Sequence, residues 1–222
     1  MTPPPYPRIP HLFPQPGADA DDRVLEPVHS RALMARPLHV EEKLDGFNIS
    51  IARDETGWPV AFARSGKTAH DRGRQLGRIR AFVGSHVEEL AECFVEWPVV
   101  YAEWMMRQHS VEYDELPSWL VVLDLWAVDR GFAALADRDR ICSAAGLVTP
   151  PELHDGLVHN EAALEKLCMG SRFGTGRAEG VVLRDVSLVG AGPVAKWLAP
   201  WFRRVADVEM RPERQNHLRS GA

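Results

Sequence analysis

The segment Glu42-Lys43-Leu44-Asp45-Gly46-Phe47-Asn48 holds the residues of this 222-residue chain whose types and spacing suit them best for joint chemistry. A lysine amine is a nucleophile once it has lost its proton, and a carboxylate two residues on can steer a metal ion. The free side chain has a pKa of about 10.4, so near pH 7 only about one lysine in a few thousand is neutral. Lowering that pKa by about three units costs roughly 4 kcal/mol, which burial and nearby positive charge must supply. The plain alternative is a turn: Asp-Gly between alternating runs is a hairpin signal, and a lysine beside it is ordinarily solvated.

Other chemistry-bearing residues lie further along. Arg64, Lys67, Arg72, Arg74, Arg78 and Arg80 form the densest basic run, enough to line a groove for phosphates. On a helix Arg74 and Arg78 share a face while Leu76 and Ile79 turn inward; such a run is also a common solvated face. A looser set, Arg203, Arg204, Arg211, Arg214 and Arg219, reads as a basic tail. His11 is within reach of a phosphate or is simply packed, and His109 and His154 have no metal-ligand spacing.

The elements that must position these residues are legible in outline. Alternation predicts strands over 38–42, 48–52 and 58–63, the first two bracketing Lys43 to Phe47. Apolar residues at Leu76, Ile79, Val83, Val87, Leu90 and Phe94 predict one helix between about 71 and 94. Val-, Leu- and aromatic-rich runs at 98–104 and 119–126 read as buried strands. Short helices are expected at 137–145, ended by Gly146, and after Asn160 as N-cap, stopping at Gly170. Strands at 179–184 and 194–198 close the pattern, with a final helix expected after Pro200. The fold class is α+β with antiparallel sheets flanked by helices, not a doubly wound parallel sheet. Three regions are expected: a proline-rich segment over 1–23, either extended against the body or mobile, a catalytic-type domain over 24–200 and the basic tail or helix over 201–222.

Composition is that of a soluble globular chain, 45% hydrophobic and 26% charged. No apolar run is long enough to cross a membrane and no secretory signal is visible. Cys93, Cys142 and Cys168 are scattered and odd in number, which disfavours a disulfide framework or zinc site and fits a reducing cytoplasm. The formal net charge of −5 does not mark a nucleic-acid binder, so such binding must come from a local basic patch.

Lys43-x-Asp45-Gly46 resembles the nucleophile motif of the covalent nucleotidyltransferases: ATP-dependent DNA and RNA ligases and mRNA capping enzymes. The resemblance runs in order along residues 38–198. It takes in Arg64-Ser65-Gly66-Lys67, Tyr101-Ala102-Glu103-Trp104, Val122-Leu123-Asp124-Leu125-Trp126, Glu179-Gly180-Val181-Val182-Leu183-Arg184 and Val194-Ala195-Lys196-Trp197. Five ordered motifs are far more specific than one. Asn48, where DNA ligases and capping enzymes usually carry arginine, is similar to the RNA ligase branch, as is the opening Tyr6-Pro7-Arg8-Ile9-Pro10-His11-Leu12.

The resemblance implies an ATP-dependent RNA ligase. Lys43 would attack ATP and carry AMP as a phosphoramide, pass it to a polynucleotide 5′-phosphate, and seal that end to a 3′-hydroxyl. Lys43, Lys196 and Glu179 are the implied catalytic residues, and Asp45, Glu103 and Glu179 the implied ligands of Mg²⁺, or alternatively Mn²⁺. Glu42, Asn48, Arg64, Glu103, Leu123, Asp124, Val182 and Lys196 would form the nucleotide site. Within it, Glu103 would hold the ribose and Leu123 would cover the purine. Arg64, Lys67, Arg72, Arg74 and Arg78 are the expected nucleic-acid contacts. Two departures stand out: Val194 replaces the first lysine of the family's Lys-x-Lys, and no accessory OB or helical domain is evident after Leu198. RNA with 5′-phosphate and 3′-hydroxyl ends is therefore the expected partner, with a second protein as an alternative source of end recognition. A DNA nick-sealing ligase, a guanylyltransferase and a non-catalytic nucleotide-binding subunit of a repair complex remain open beside it.

Overall fold

The structure is a computed structural model that describes residues 2–15, 22–64, 66, 74–188, 190–203 and 214–221. The chain divides into two compact units. One, the Glu103 unit, comprises Met1–Pro7, Gly46–Met105 and Ser118–Thr149; the other, the Lys43 unit, comprises Arg8–Asp45, Met106–Pro117 and Pro150–Ala222. The division falls inside the lysine motif, between Asp45 and Gly46.

The Lys43 unit is built on a four-stranded antiparallel sheet in the order β7-β1-β8-β9. These strands are β1 (Pro37–Lys43), β7 (Glu152–Leu157), β8 (Gly180–Arg184) and β9 (Ala195–Leu198). Alternation sends Leu38, Val40, Val181, Leu183, Ala195 and Trp197 into one core, where Leu164 and Cys168 also lie. Leu164 belongs to α5 (Glu161–Leu167), which Asn160 caps by accepting the Ala163 N–H at 3.0 Å. A further helix, α1 (Pro27–Met34), starts with proline in its first turn. In the opening segment Leu12 N–H donates to Lys196 O at 2.8 Å, and Lys196 N–H donates to Pro10 O at 2.8 Å.

The Glu103 unit holds a five-stranded antiparallel sheet, β3-β2-β4-β5-β6. Its strands are β2 (Phe47–Arg53), β3 (Pro59–Ala63), β4 (Val99–Trp104), β5 (Leu120–Ala127) and β6 (Gly131–Phe132). Its helices are α2 (Arg74–Ser85), α3 (Val87–Cys93) and α4 (Leu135–Ala144). The α+β antiparallel expectation holds in both units.

The single helix expected from about 71 to 94 is two helices. His86, at φ −120° and ψ 36°, interrupts it. The Ser85 hydroxyl donates to Phe82 O at 2.9 Å, giving that carbonyl a local partner in place of a helical amide. The apolar spacing continued through the break because both helices bury the same kind of stripe. Residues 71–73 fall outside the described residues, as do residues 204–213, and where the helix was expected after Pro200 the described residues show a turn at 200–201. Three elements gave no clear signal: α1, the two-residue β6 and the polar, half-exposed β7. The described C-terminal residues are held in place: Asn216 is buried, its amide donates to Met106 O at 3.1 Å, and Gln108 N–H donates to Arg214 O at 3.0 Å.

Candidate nucleotide site

Lys43 ends β1, opposite Gly180 of β8, while Val182 pairs with both Glu41 and Lys196. Cross-strand partners share a face, so Lys43, Glu41, Val182 and Lys196 lie on the side of the sheet away from Val181 and Trp197. Lys43 Nζ donates to Glu179 Oε2 at 2.8 Å; the lysine is 22% exposed and the glutamate 1%. This ion pair unites two of the three residues expected to be catalytic. Gly180, next to Glu179, admits no side chain, because a Cβ there would lie 2.1 Å from Trp197 O. That close approach lets β8 and β9 pair tightly beside the lysine.

The third expected catalytic residue, Lys196, is paired too. Its Nζ lies 3.2 Å from each carboxylate oxygen of Asp22, a residue without motif signal. Glu42 alternates to the opposite face from Lys43. There its carboxylate accepts the Ser171 hydroxyl at 2.6 Å and the Arg172 N–H at 2.7 Å. Burial holds the Glu42 carboxyl above its ordinary 4.5, against the pull of those two hydrogen bonds and the Arg172 charge.

Asp45 shapes the loop that follows the lysine: its Oδ2 accepts the N–H groups of Ser110 at 2.6 Å and Val111 at 2.9 Å. Its own N–H donates to Tyr113 Oη at 2.9 Å. Burial raises the Tyr113 phenol well above its usual pKa, and the carboxylates of Glu179, Glu42 and Asp45 add to the rise. Tyr113 therefore stays a neutral hydroxyl among three acidic residues, a hub that no motif announces. Beside this loop opens a groove of about 480 Å³, lined by Ser110, Val111, Arg177 and Trp201 among others. In it the Arg177 guanidinium lies 4.8 Å from the centre of the Trp201 ring.

In the Glu103 unit, Glu103 gathers the residues just after the lysine. Its Oε1 accepts the Gly46 N–H at 3.1 Å and its Oε2 accepts Asn48 Nδ2–H at 3.3 Å. Gly46 is required for space rather than for a left-handed turn, since a Cβ would lie 2.7 Å from both Met105 Sδ and Trp104 O. The register of β4 and β5 slips so that Tyr101 faces Asp124 and Ala102 faces Val122, leaving Leu123 half-buried in a bulge. Such a bulge frees an apolar side chain from the ladder. Asp124 is 1% exposed and accepts the Tyr6 hydroxyl. Next to it, the Tyr101 phenol is pushed up to about 12 by burial and then by the Asp124 charge. Arg64 donates to Tyr6 O at 3.2 Å, so it too holds the opening segment.

The expected nucleic-acid residues are only partly placed. Lys67 and Arg72 lie outside the described residues, Arg74 opens α2, and Arg78 is exposed on that helix while Ile79 is buried. As for a metal, no three His, Cys, Asp or Glu side chains among the described residues gather as ligands. Mg²⁺ needs only one or two carboxylates when waters and substrate phosphates complete its shell. The Glu179 carboxylate beside Lys43 fits that sparse mode, whereas two backbone amides already engage Asp45 Oδ2.

A family model for RNA ligases matches residues 36–198, most of the chain and all of the motifs just placed. The chain belongs to the RNA ligase family. Solved structures of similar fold agree with its architecture. An archaeal ATP-dependent RNA ligase aligns with a TM-score of 0.60 at 21% identity, covering 88% of this chain and 48% of that one. A Naegleria gruberi RNA ligase mutant solved with AMP and Mn aligns at 0.59 and 15% identity, covering 76% and 51%. An Aquifex aeolicus protein described as a candidate ATP-dependent DNA ligase aligns at 0.54 and 21%, covering 88% and 50%. No protein with a curated description matches. This RNA ligase family member thus spans about half the length of the solved ligases it resembles.

Proposed function

We propose that the chain performs ATP-dependent ligation of RNA through a lysyl-AMP intermediate on Lys43. The observation that carries this reading is the Lys43–Glu179 pair, 2.8 Å apart, on the sheet that also carries Lys196. Attack needs the Lys43 lone pair, and Glu179 Oε2 is the atom positioned to take the proton that blocks it. A bond then forms between Lys43 Nζ and the α-phosphorus, the bond from that phosphorus to the bridging oxygen breaks, and pyrophosphate leaves. Lys196 offsets negative charge on the departing phosphates. A bound Mg²⁺, held through Glu179 and water, would supply further neutralisation of the phosphates.

In the next steps a polynucleotide 5′-phosphate oxygen attacks the phosphoramide and releases Lys43. A 3′-hydroxyl then attacks the 5′-phosphorus and displaces AMP. Glu103 and Asn48, joined through one carboxylate, are the polar groups proposed for the ribose, and Leu123 in its bulge for the purine face. The Asn48 resemblance favours RNA over DNA as the strand.

The test is incubation with ATP labelled at the α-phosphate plus Mg²⁺. An acid-labile, alkali-stable adduct mapped to Lys43, lost in Lys43→Ala and chased into 5′-phosphorylated RNA, supports the reading. A folded protein that binds ATP yet forms no adduct removes it and leaves a nucleotide-binding subunit. Chase into nicked DNA but not RNA corrects the substrate alone.

A further inference from the structure

The opening segment brings a buried histidine to Lys196. His11 and Lys196 form a parallel β-bridge, so both side chains project on the same side of the strands. Both reach Asp22: His11 Nε2 lies 2.8 Å from Oδ2, and Lys196 Nζ lies 3.2 Å from each oxygen.

The other His11 nitrogen also faces an oxygen. Nδ1 lies 3.1 Å from Gln15 Oε1. The orientation of that amide follows from Leu198, whose N–H donates to Gln15 Oε1 at 2.9 Å while Gln15 Nε2 donates to Leu198 O at 2.5 Å. An amide oxygen only accepts, so Nδ1 carries a proton. The other nitrogen, Nε2, faces the Asp22 carboxyl group, so each ring nitrogen is placed against an oxygen. The ring is 0% exposed, with Asp22 at 14% and Lys196 at 12%.

An imidazole nitrogen and a lysine ammonium therefore converge on one small carboxylate. Val194, just before the same strand, adds no charge. Charge-assisted N–H donors set around two oxygens suit a phosphate as well as a carboxylate. Lys43 lies on the same face of this sheet, two strands away through Gly180 and Val182.

We propose that His11 and Lys196 form a paired seat for the β- and γ-phosphates of the nucleotide, and that Asp22 is the internal anion filling it until those phosphates arrive. The idea rests on the reading that Lys43 takes AMP from ATP, and it assigns His11 and Asp22 roles at the leaving group. Asp22 then competes with the nucleotide, whereas His11 helps it bind.

The two residues are thus expected to act with opposite signs. Inorganic pyrophosphate is titrated calorimetrically into the full chain, into Asp22→Asn and into His11→Gln, each checked for folding by circular dichroism. Asp22→Asn is expected to bind pyrophosphate about tenfold more tightly and His11→Gln about tenfold more weakly, the scale of one charge-assisted hydrogen bond. If Asp22→Asn does not fold, Asp22→Ser takes its place with the same expectation. Weaker binding in both variants overturns the seat, because an ion pair that merely braces the segment loses stability whichever partner is removed. Unchanged binding in both overturns it as well. Failure of the ligase reading is separately visible: wild type that forms no adduct with ATP yet shows the opposite signs with pyrophosphate keeps the seat without the ligase. Wild type that labels on Lys43 while pyrophosphate binding ignores both substitutions keeps the ligase without the seat.

Discussion

At the scale of the residue, Lys43 and Glu179 are an ion pair whose members have different proposed tasks. Glu179→Gln leaves a hydrogen-bond acceptor beside Lys43 but removes the group proposed to take its proton. The expected result is a fall in the rate of self-adenylylation of about a hundredfold or more, read from quench-flow of labelled ATP, with folding retained. Glu42 differs, since its carboxyl is raised above 4.5 chiefly by burial. A raised carboxyl binds its proton more tightly folded than unfolded. Its stabilising contribution is therefore present below about 4.5 and is lost as pH rises through the folded value. Glu42→Gln keeps partners for Ser171 and Arg172 without a buried charge. It is expected to melt above wild type near pH 8 and to lose that advantage near pH 4, as followed by thermal scans across pH. A melting difference that does not change with pH removes this account.

At the scale of the element, two glycines beside the lysine work by absence of bulk. At Gly180 a Cβ would meet the carbonyl of Trp197 at 2.1 Å, and backbone cannot move aside as a side chain can. Gly180→Ala is expected to cost at least about 3 kcal/mol in urea unfolding, by parting β8 from β9. At Gly46 a Cβ would meet Met105 Sδ and Trp104 O at 2.7 Å and Glu103 Cγ at 2.9 Å, groups that are in part flexible side chains. Gly46→Ala is expected to cost less, about 1–3 kcal/mol, yet to depress adduct formation strongly by displacing Glu103 from Asn48. Equal stability losses in the two variants count against this ranking.

At the scale of the whole molecule, the RNA binding proposed for a chain of net charge −5 requires a local surface. Arg78 and Arg80 stand exposed on α2, with Ile79 buried between them. Replacing both with alanine is expected to weaken binding of single-stranded RNA of any sequence. The salt dependence should become shallower too, by a slope of about 0.7 for each phosphate that is no longer neutralised. Fluorescence anisotropy over a salt series measures it, and an unchanged slope assigns these arginines to solvent. Chelation of divalent ions is expected to abolish adduct formation, and added Mg²⁺ or Mn²⁺ to restore it.

Much was legible in the amino-acid sequence because it is local. Alternation marked β1 and β2, runs rich in Val, Leu and aromatics marked β4 and β5, Asn160 marked a cap, and Lys43, Glu103, Glu179 and Lys196 stood in an order that resembles one family. A break such as that at His86 was hidden, because apolar spacing reports which face is buried and not whether the backbone is continuous. What only the tertiary structure decided is the set of partners. Glu179 is 136 residues from Lys43 in the chain and Asp22 is 174 from Lys196. Tyr113 reaches Asp45 across 68 residues. Such pairings depend on which strands join and in what register, and Asp22, His11 and Tyr113 belong to no repeating pattern that spacing could expose. Residue order determined the chemistry on offer; the pairing of β1, β8 and β9 decided which charges meet.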